Sequence, residues 1–205
     1  MRITTYSELQ TAISGFLNRS DLTSVIPDFI SLAEADLNRR VRHWRMESRT
    51  TITIDARFEN LPSDWLETVR FHLTTGDTHA MEPASQAEMI RMRQARQDSA
   101  GRPAYYSLTG GQFEFFPTPD ATYTGELVYL AKIPALSVGA PTNWLLTQAP
   151  DAYLYGSLVQ ANPYLKDSPE IWAAFYQNAV DGLNASSREA TKSGAGLRMK
   201  IKGLS

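Results

Sequence analysis

Arg39-Arg40-Val41-Arg42-His43-Trp44-Arg45 is followed, after four intervening residues, by Thr50-Thr51-Ile52-Thr53-Ile54. The period of the chain changes between these two stretches. Before them, apolar residues recur at helical spacing; Thr50 to Ile54 is β-branched and alternates, as a half-buried strand does. The fold reading turns on this point, because it separates a helical N-terminal region, residues 1–47, from a β region, residues 48–138.

Upstream lie two helices. Thr5 and Glu8 have capping-box spacing, in which each side chain satisfies an orphan N–H of the first turn. Leu9, Ala12, Ile13, Phe16 and Leu17 then form one apolar face, and Asn18-Arg19-Ser20-Asp21 breaks the helix. In the second helix Pro27 is tolerated near the start. Ile26, Ile30, Ala33, Leu37 and Val41 make its stripe, with Phe29 beside it. This helix is expected to end in Arg39, Arg40, Arg42, His43 and Arg45. A helix dipole favours cations there. The same arginines, Arg39, Arg40, Arg42 and Arg45, are candidates for contact with an acidic neighbouring subunit or with DNA.

Downstream, Trp65 to Leu73 reads as a strand with Leu66, Val69, Phe71 and Leu73 as its apolar members, and Thr78 to Glu82 as one short strand. Ser85 and Glu88 repeat the capping box before a short helix carrying Met89, Ile90, Met92 and Ala95. Ala104–Thr109, Gln112–Phe116 and Glu126–Ala131 read as strands. Gly110-Gly111 and Pro117-Thr118-Pro119-Asp120 are the turns between them.

Helical pattern returns over residues 139–192. A helix starts at Ala149-Pro150-Asp151 with Tyr153, Leu154, Tyr155, Leu158 and Val159, and Asn162-Pro163 marks its end or a kink. Ser168-Pro169-Glu170 is a helix start. Ile171, Trp172, Phe175, Tyr176, Ala179, Val180 and Leu183 follow to about Ser187 or beyond. The expected fold class is α+β. The N- and C-terminal helices form a bundle, a small β domain is inserted between them, and a C-terminal tail extends over residues 193–205.

In that tail Ser193-Gly194-Ala195-Gly196 reads as a hinge. Leu197-Arg198-Met199-Lys200-Ile201-Lys202 then alternates apolar and basic residues with period two. A strand so short buries itself only by joining an existing sheet edge. Leu197, Met199 and Ile201 would turn inward, and Arg198, Lys200 and Lys202 would face acidic groups or water. Fully extended, residues 194–205 span about 40 Å, enough to reach a neighbouring subunit. The alternative is pairing with the chain's own β domain. The basic residues Arg188, Lys192, Arg198, Lys200 and Lys202 face only Glu189 in this end, although the whole chain carries −2. The body is therefore acidic, which argues against broad nucleic-acid binding.

Composition excludes several chemistries. The 205 residues are 42% hydrophobic and 20% charged, ordinary for one soluble domain or one domain with an insertion. With no cysteine there is neither disulfide nor thiolate site. No run approaches a membrane span, and the N-terminus lacks a signal-peptide core. His43, His72 and His79 lack zinc spacing, and the Gly110-Gly111 pair lacks a phosphate-loop Lys. The acidic residues are scattered. No enzyme activity, cofactor or metal is expected. A small carbohydrate- or peptide-binding β module, using exposed aromatics near Tyr105, Tyr106 and Phe115, is the remaining non-assembly reading.

Several short stretches, in order, resemble podovirus-type head–tail adaptor (connector) proteins of tailed bacteriophages. They are Tyr6-Ser7-Glu8-Leu9, Phe16-Leu17-Asn18-Arg19-Ser20-Asp21-Leu22, Ile26-Pro27-Asp28-Phe29-Ile30 and Ala33-Glu34-Ala35-Asp36-Leu37-Asn38-Arg39. Gly101-Arg102-Pro103-Ala104-Tyr105-Tyr106, Phe116-Pro117-Thr118-Pro119, Asn143-Trp144-Leu145-Leu146 and Pro150-Asp151-Ala152-Tyr153-Leu154-Tyr155-Gly156-Ser157-Leu158 continue the pattern. The resemblance implies a virion structural protein at the head–tail interface, made in the host cytoplasm. It implies a ring, typically of twelve copies, that joins the portal protein to the tail nozzle or tail tube and continues the DNA channel without gripping DNA. It also implies that the tail, Leu197 to Lys202 with Leu204, reaches the portal. Trp144, Tyr153 and Tyr155 are the pattern's anchors. A different neck or tail-completion protein is the alternative within the same physics.

Overall fold

The computed structural model describes residues 2–96, 99–166 and 170–194. The chain divides into two compact units: Met1–Arg45 with Ile133–Ser205, and Met46–Lys132. The class is α+β, with the helical unit drawn from both ends of the chain.

In the helical unit α1 spans Tyr6–Leu17, α2 Ile26–Arg40, α4 Trp144–Gln148, α5 Pro150–Leu165 and α6 Glu170–Gly194, while α3, Gln86–Ala95, belongs to the other unit. The Thr5–Glu8 box caps α1, whose chain reverses at Asn18 with φ 50°. The α2 stripe is buried as its periodicity predicts, from Ile26 to Val41. At the centre stands α5, packed against α1, α2, α4 and α6. It is buried nearly all round, including Ala152, Tyr153, Gly156, Leu158 and Ala161, as a helix inside a bundle is. Gly156 permits the closest approach. A Cβ there would lie 3.0 Å from the Tyr176 ring and 3.4 Å from Ala33. Pro163 falls in the last turn of α5, which runs two residues beyond it and closes at Lys166 in the left-handed region.

The second unit holds two four-stranded sheets. With β1 Glu47–Ile54, β2 Phe58–Asn60, β3 Trp65–Leu73, β4 His79–Ala80, β5 Glu82–Pro83, β6 Tyr105–Thr109, β7 Gln112–Phe116 and β8 Tyr123–Ala131, their orders are β1-β8-β3-β4 and β2-β7-β6-β5. All pairs are antiparallel except β5 with β6. The stretch expected as one strand, Thr78 to Glu82, is two. Its first half pairs with β3 and its second with β6, so the chain changes sheets at buried Met81. The sheets share a core of Ile54, Phe71, Leu73, Met81, Tyr106, Phe113, Phe115, Leu127 and Tyr129. Phe71 is its hub, with the Tyr106, Phe113 and Phe115 rings at 5.5, 5.1 and 5.8 Å. Gly125 makes room for it.

Two expectations change here. Val69 is exposed, because the β3–β8 register shifts between Thr68 and Arg70 and turns it out of the alternation. Phe115 is fully buried and Tyr106 nearly so. The expected exposed aromatics are therefore absent at these two positions, while Tyr105 is half-buried. Gly110 and Gly111, both at positive φ, form the two-residue turn between Thr109 and Gln112, the backbone form a tight hairpin favours.

Candidate assembly interface

The arginine cluster divides into an inner and an outer part. α2 ends at Arg40, so only Arg39 and Arg40 lie in its last turn. The helix dipole does not account for Arg42 or Arg45, contrary to the expectation that the helix continues through them. Val41 turns the backbone to an extended conformation and is fully buried, and that burial sets the exit.

Arg40 faces inward. Its guanidinium donates to Asp36 at 3.3 Å and to the Gln177 side chain, and lies 5.0 Å over the Tyr176 ring. The Tyr176 hydroxyl donates to Asp36 at 2.8 Å. Burial disfavours the Asp36 carboxylate, but Tyr176, Arg39 and Arg40 outweigh it and hold its pKa below the ordinary value. Burial, then the Asp36 charge, pushes the Tyr176 hydroxyl up.

α6 secures the segment beyond α2. Asn184 donates to the Arg40 carbonyl at 3.1 Å and accepts from the Arg42 N–H at 2.8 Å. Ser187 accepts from the Trp44 N–H at 2.9 Å. His43 is buried, stacked 5.2 Å from the Trp144 ring, and its Nδ1 accepts from the Arg45 N–H. Burial first, and the Arg45 charge second, lower its pKa. Arg39, Arg42, Trp44 and Arg45 are left on the surface. Arg39 pairs with Asp36 at 3.1 Å, Arg42 donates to the Asn38 and Val41 carbonyls, and Arg45 lies over Trp44.

Sequence reasoning missed a second feature. Phe16 of α1 meets Trp172 of α6 at 5.9 Å, Trp172 stacks on Tyr155 of α5 at 6.0 Å, and Tyr155 stacks on Phe175 at 5.1 Å. The row is open to solvent. Phe16 is 47% exposed, Phe175 46% and neighbouring Ile171 68%. Scattered apolar residues on a surface mean little, but a contiguous aromatic patch marks an interaction site. The signal lay in the α6 pattern. Its buried stripe is Tyr176, Val180, Leu183 and Ser187, and Ile171 and Phe175 fall beside that stripe. Of the anchor residues, Tyr153 is buried, Trp144 half-buried against His43, and Tyr155 half-buried within the row.

Glu34 and Tyr153 supply a buried polar tie inside the bundle. Glu34 accepts from the Leu136 N–H at 2.7 Å and from the Tyr153 hydroxyl at 3.4 Å, and Asn143 donates to that hydroxyl at 2.7 Å. Burial raises the Glu34 pKa against these hydrogen bonds. The β unit has its own buried pair: Glu114 accepts from Arg57 at 2.7 Å and from Arg93 of α3, which spans Gln86–Ala95. His72 stands 3.7 Å from Glu126 on the outer face of β3, and His79 is exposed. Among the described residues no group of three or more His, Cys, Asp or Glu could hold a metal ion. No described helix is long and apolar enough to cross a membrane.

The tail candidates Leu197, Arg198, Met199, Lys200, Ile201, Lys202 and Leu204 lie outside the described residues, as do Ser168 and Pro169 of the expected helix start. Ser193 and Gly194, expected as the start of a hinge, belong to α6.

No curated protein matches the chain. Residues 4–199 match the family described as SU10 adaptor protein. That match covers both units and nearly the whole sequence, and the chain therefore belongs to this family of structural phage adaptors.

Proposed function

We propose that the chain forms a ring beneath the portal at the capsid vertex, joins the portal to the tail, and continues the channel through which DNA passes. The observation that carries this reading is the exposed row of Phe16, Tyr155, Trp172 and Phe175 on a bundle whose core is already filled. A face of this kind gains most when another protein covers it. A contact between two different faces of identical copies closes into a ring when the rotation per copy divides a full turn. The aromatic row is one such face. The surface arginines Arg39, Arg42 and Arg45 supply charge for an acidic patch on a neighbour.

The C-terminal segment from Leu197 to Leu204 docks on the portal by adding a strand to one of its sheet edges. The net charge of −2 suits a conduit, since phosphate contacts to Lys and Arg hold DNA in place. The adaptor role is structural and involves no catalysis. Electron microscopy of the chain mixed with portal rings tests the reading. A second ring stacked coaxially on the portal is expected, and arginines Arg39 and Arg42 lining its lumen would contradict the inter-subunit assignment.

A further inference from the structure

Most sheet edges of the β unit are short. β4 and β5 have two residues each and β2 has three, and β5 holds Pro83. The remaining edge is β1, eight residues long and paired to β8 in an unbroken register. Exposed edges are normally blunted by brevity, proline, a bulge or an inward-pointing charge, because their unpaired N–H and C=O groups invite another strand. β1 has none of these. Its inward residues are Ser48, Thr50, Ile52 and Ile54.

The hydrogen bonds of β8 identify the open groups. In an antiparallel pair alternate residues bond the neighbouring strand, and those between them point away. The Thr124 carbonyl accepts from the Thr74 N–H at 2.8 Å, and the Lys132 N–H donates to the Asp64 carbonyl at 2.6 Å. Even-numbered residues of β8 therefore bond toward β3, and odd-numbered ones toward β1. Through the register, Ser48, Thr50, Ile52 and Ile54 bond β8, whereas Arg49, Thr51 and Thr53 turn N–H and C=O to the open edge. Among the described residues no hydrogen bond takes up these groups.

Charge narrows the occupant. Arg49, Thr51 and Thr53 carry exposed side chains on the outer face, with exposed Glu47 at its start. Glu126 lies 3.4 Å from Arg49 and 3.8 Å from Arg70, so one carboxylate serves two guanidiniums. A strand beside β1 gains most when it sets an acid opposite Arg49 and a base opposite Glu47. A second copy of β1 does not combine this match with a long overlap. Paired antiparallel about Ser48, two copies match Glu47 with Arg49 but overlap over few residues. Paired about Thr50, they overlap along the strand, but Glu47 meets Thr53 and Arg49 meets Thr51. The register between these sets Arg49 against Arg49, which is unfavourable.

We propose that β1 is a docking edge for an extended segment of a different protein of the particle, which joins the sheet as a strand beyond β1. The segment runs antiparallel, the more stable pairing per residue. Its inner residues are apolar and continue the row of Ile52; its outer residues place an acid beside Arg49 and a base beside Glu47. This rests on the adaptor reading for where the segment comes from, but not for the edge itself.

Thr51→Pro in the full chain is the test, because proline there removes an outward N–H and no bond to β8. The variant is expected to melt within a few degrees of the parent, yet to enter phage particles roughly ten-fold less. Ile52→Pro cuts a bond to β8 and is expected to lower the melting temperature sharply. A benzoylphenylalanine photo-crosslinker in place of Thr53 is expected to join the chain, within particles, to a different protein. Early melting or undiminished entry of Thr51→Pro would overturn the proposal, as would an adduct between two copies or no adduct. Absence of the parent chain from particles would count against the adaptor reading instead. Amide exchange on the free chain then decides the edge. The synthetic peptide Thr-Val-Thr-Val-Glu-Val-Lys is expected to slow exchange at Arg49, Thr51 and Thr53 more than its charge-swapped form, Thr-Val-Thr-Val-Lys-Val-Glu. Equal effects, or none, would overturn the proposal.

Discussion

Asn184 caps Arg40 from the far end of the sequence: its side-chain amide donates to the Arg40 carbonyl at 3.1 Å and accepts the Arg42 N–H at 2.8 Å. One side chain of α6 thus satisfies both backbone groups exposed where α2 stops. Asn184→Ala removes a part-buried bond to the Arg40 carbonyl and an exposed one to the Arg42 N–H, a loss of about 0.5–1.5 kcal/mol. Chemical denaturation should show that loss with an unchanged m-value.

If the aromatic row is an assembly face, Phe175 at one end of it, 46% exposed, should be replaceable without unfolding. Phe175→Glu is expected to leave the melting temperature of the isolated chain within a few degrees of the parent. It should weaken association between copies by at least ten-fold, the scale of one interface anchor. Tyr176→Ala, one residue on but buried, should reverse the pattern and lower the melting temperature. Melting curves paired with sedimentation of the assembled ring separate the two.

The packing around Phe71 gives a sharp test of the β unit. A Cβ at Gly125 would sit 2.7 Å from the Phe71 ring and 2.9 Å from Ile54. Gly125→Ala should therefore destabilise by about 1–3 kcal/mol through overpacking. The double variant Gly125→Ala with Phe71→Leu should recover part of that loss relative to the sum of the single changes. Urea titrations of the four proteins measure the coupling.

Two carboxylates of α2 pull the pH dependence in opposite directions. Asp36 has a folded-state pKa below its ordinary 3.8. Its contribution is present above 3.8 and is lost as pH falls through the lower folded value. Glu34 has a folded-state pKa above its ordinary 4.5. Its contribution is complete below 4.5 and is lost as pH rises through the higher folded value. Asp36→Asn should thus cost stability at neutral pH and little in strong acid. Glu34→Gln should cost less at neutral pH than in acid. Denaturation series from acid to neutral pH on both variants check the signs.

Local signals were legible in the sequence. Both capping boxes occur where their spacing placed them, because each depends on four consecutive residues. The α2 stripe and the limits of β3 followed from periodicity for the same reason. What the sequence hid was pairing across distance. Nothing in Thr78 to Glu82 shows that its halves join different sheets. Phe113-Glu114-Phe115 alternates as though Glu114 faced water, yet Arg57 and Arg93 come from elsewhere in the chain to bury it. The arginine cluster was visible as a charge run, but its division was not. That division depends on Asn184 and Ser187, more than 140 residues away. The aromatic row was hidden because Phe16, Tyr155 and Trp172 each read as part of a helix's own apolar face.

The proposed docking on a portal through the C-terminal segment has one direct test. The most direct measurement is the mass in solution of the full chain, and of a chain ending at Gly194, each alone and with portal rings. Both are expected to be folded monomers alone, and only the full chain is expected to add a ring of copies to the portal. A full chain indifferent to portal, or a truncated chain that binds it equally well, would contradict it.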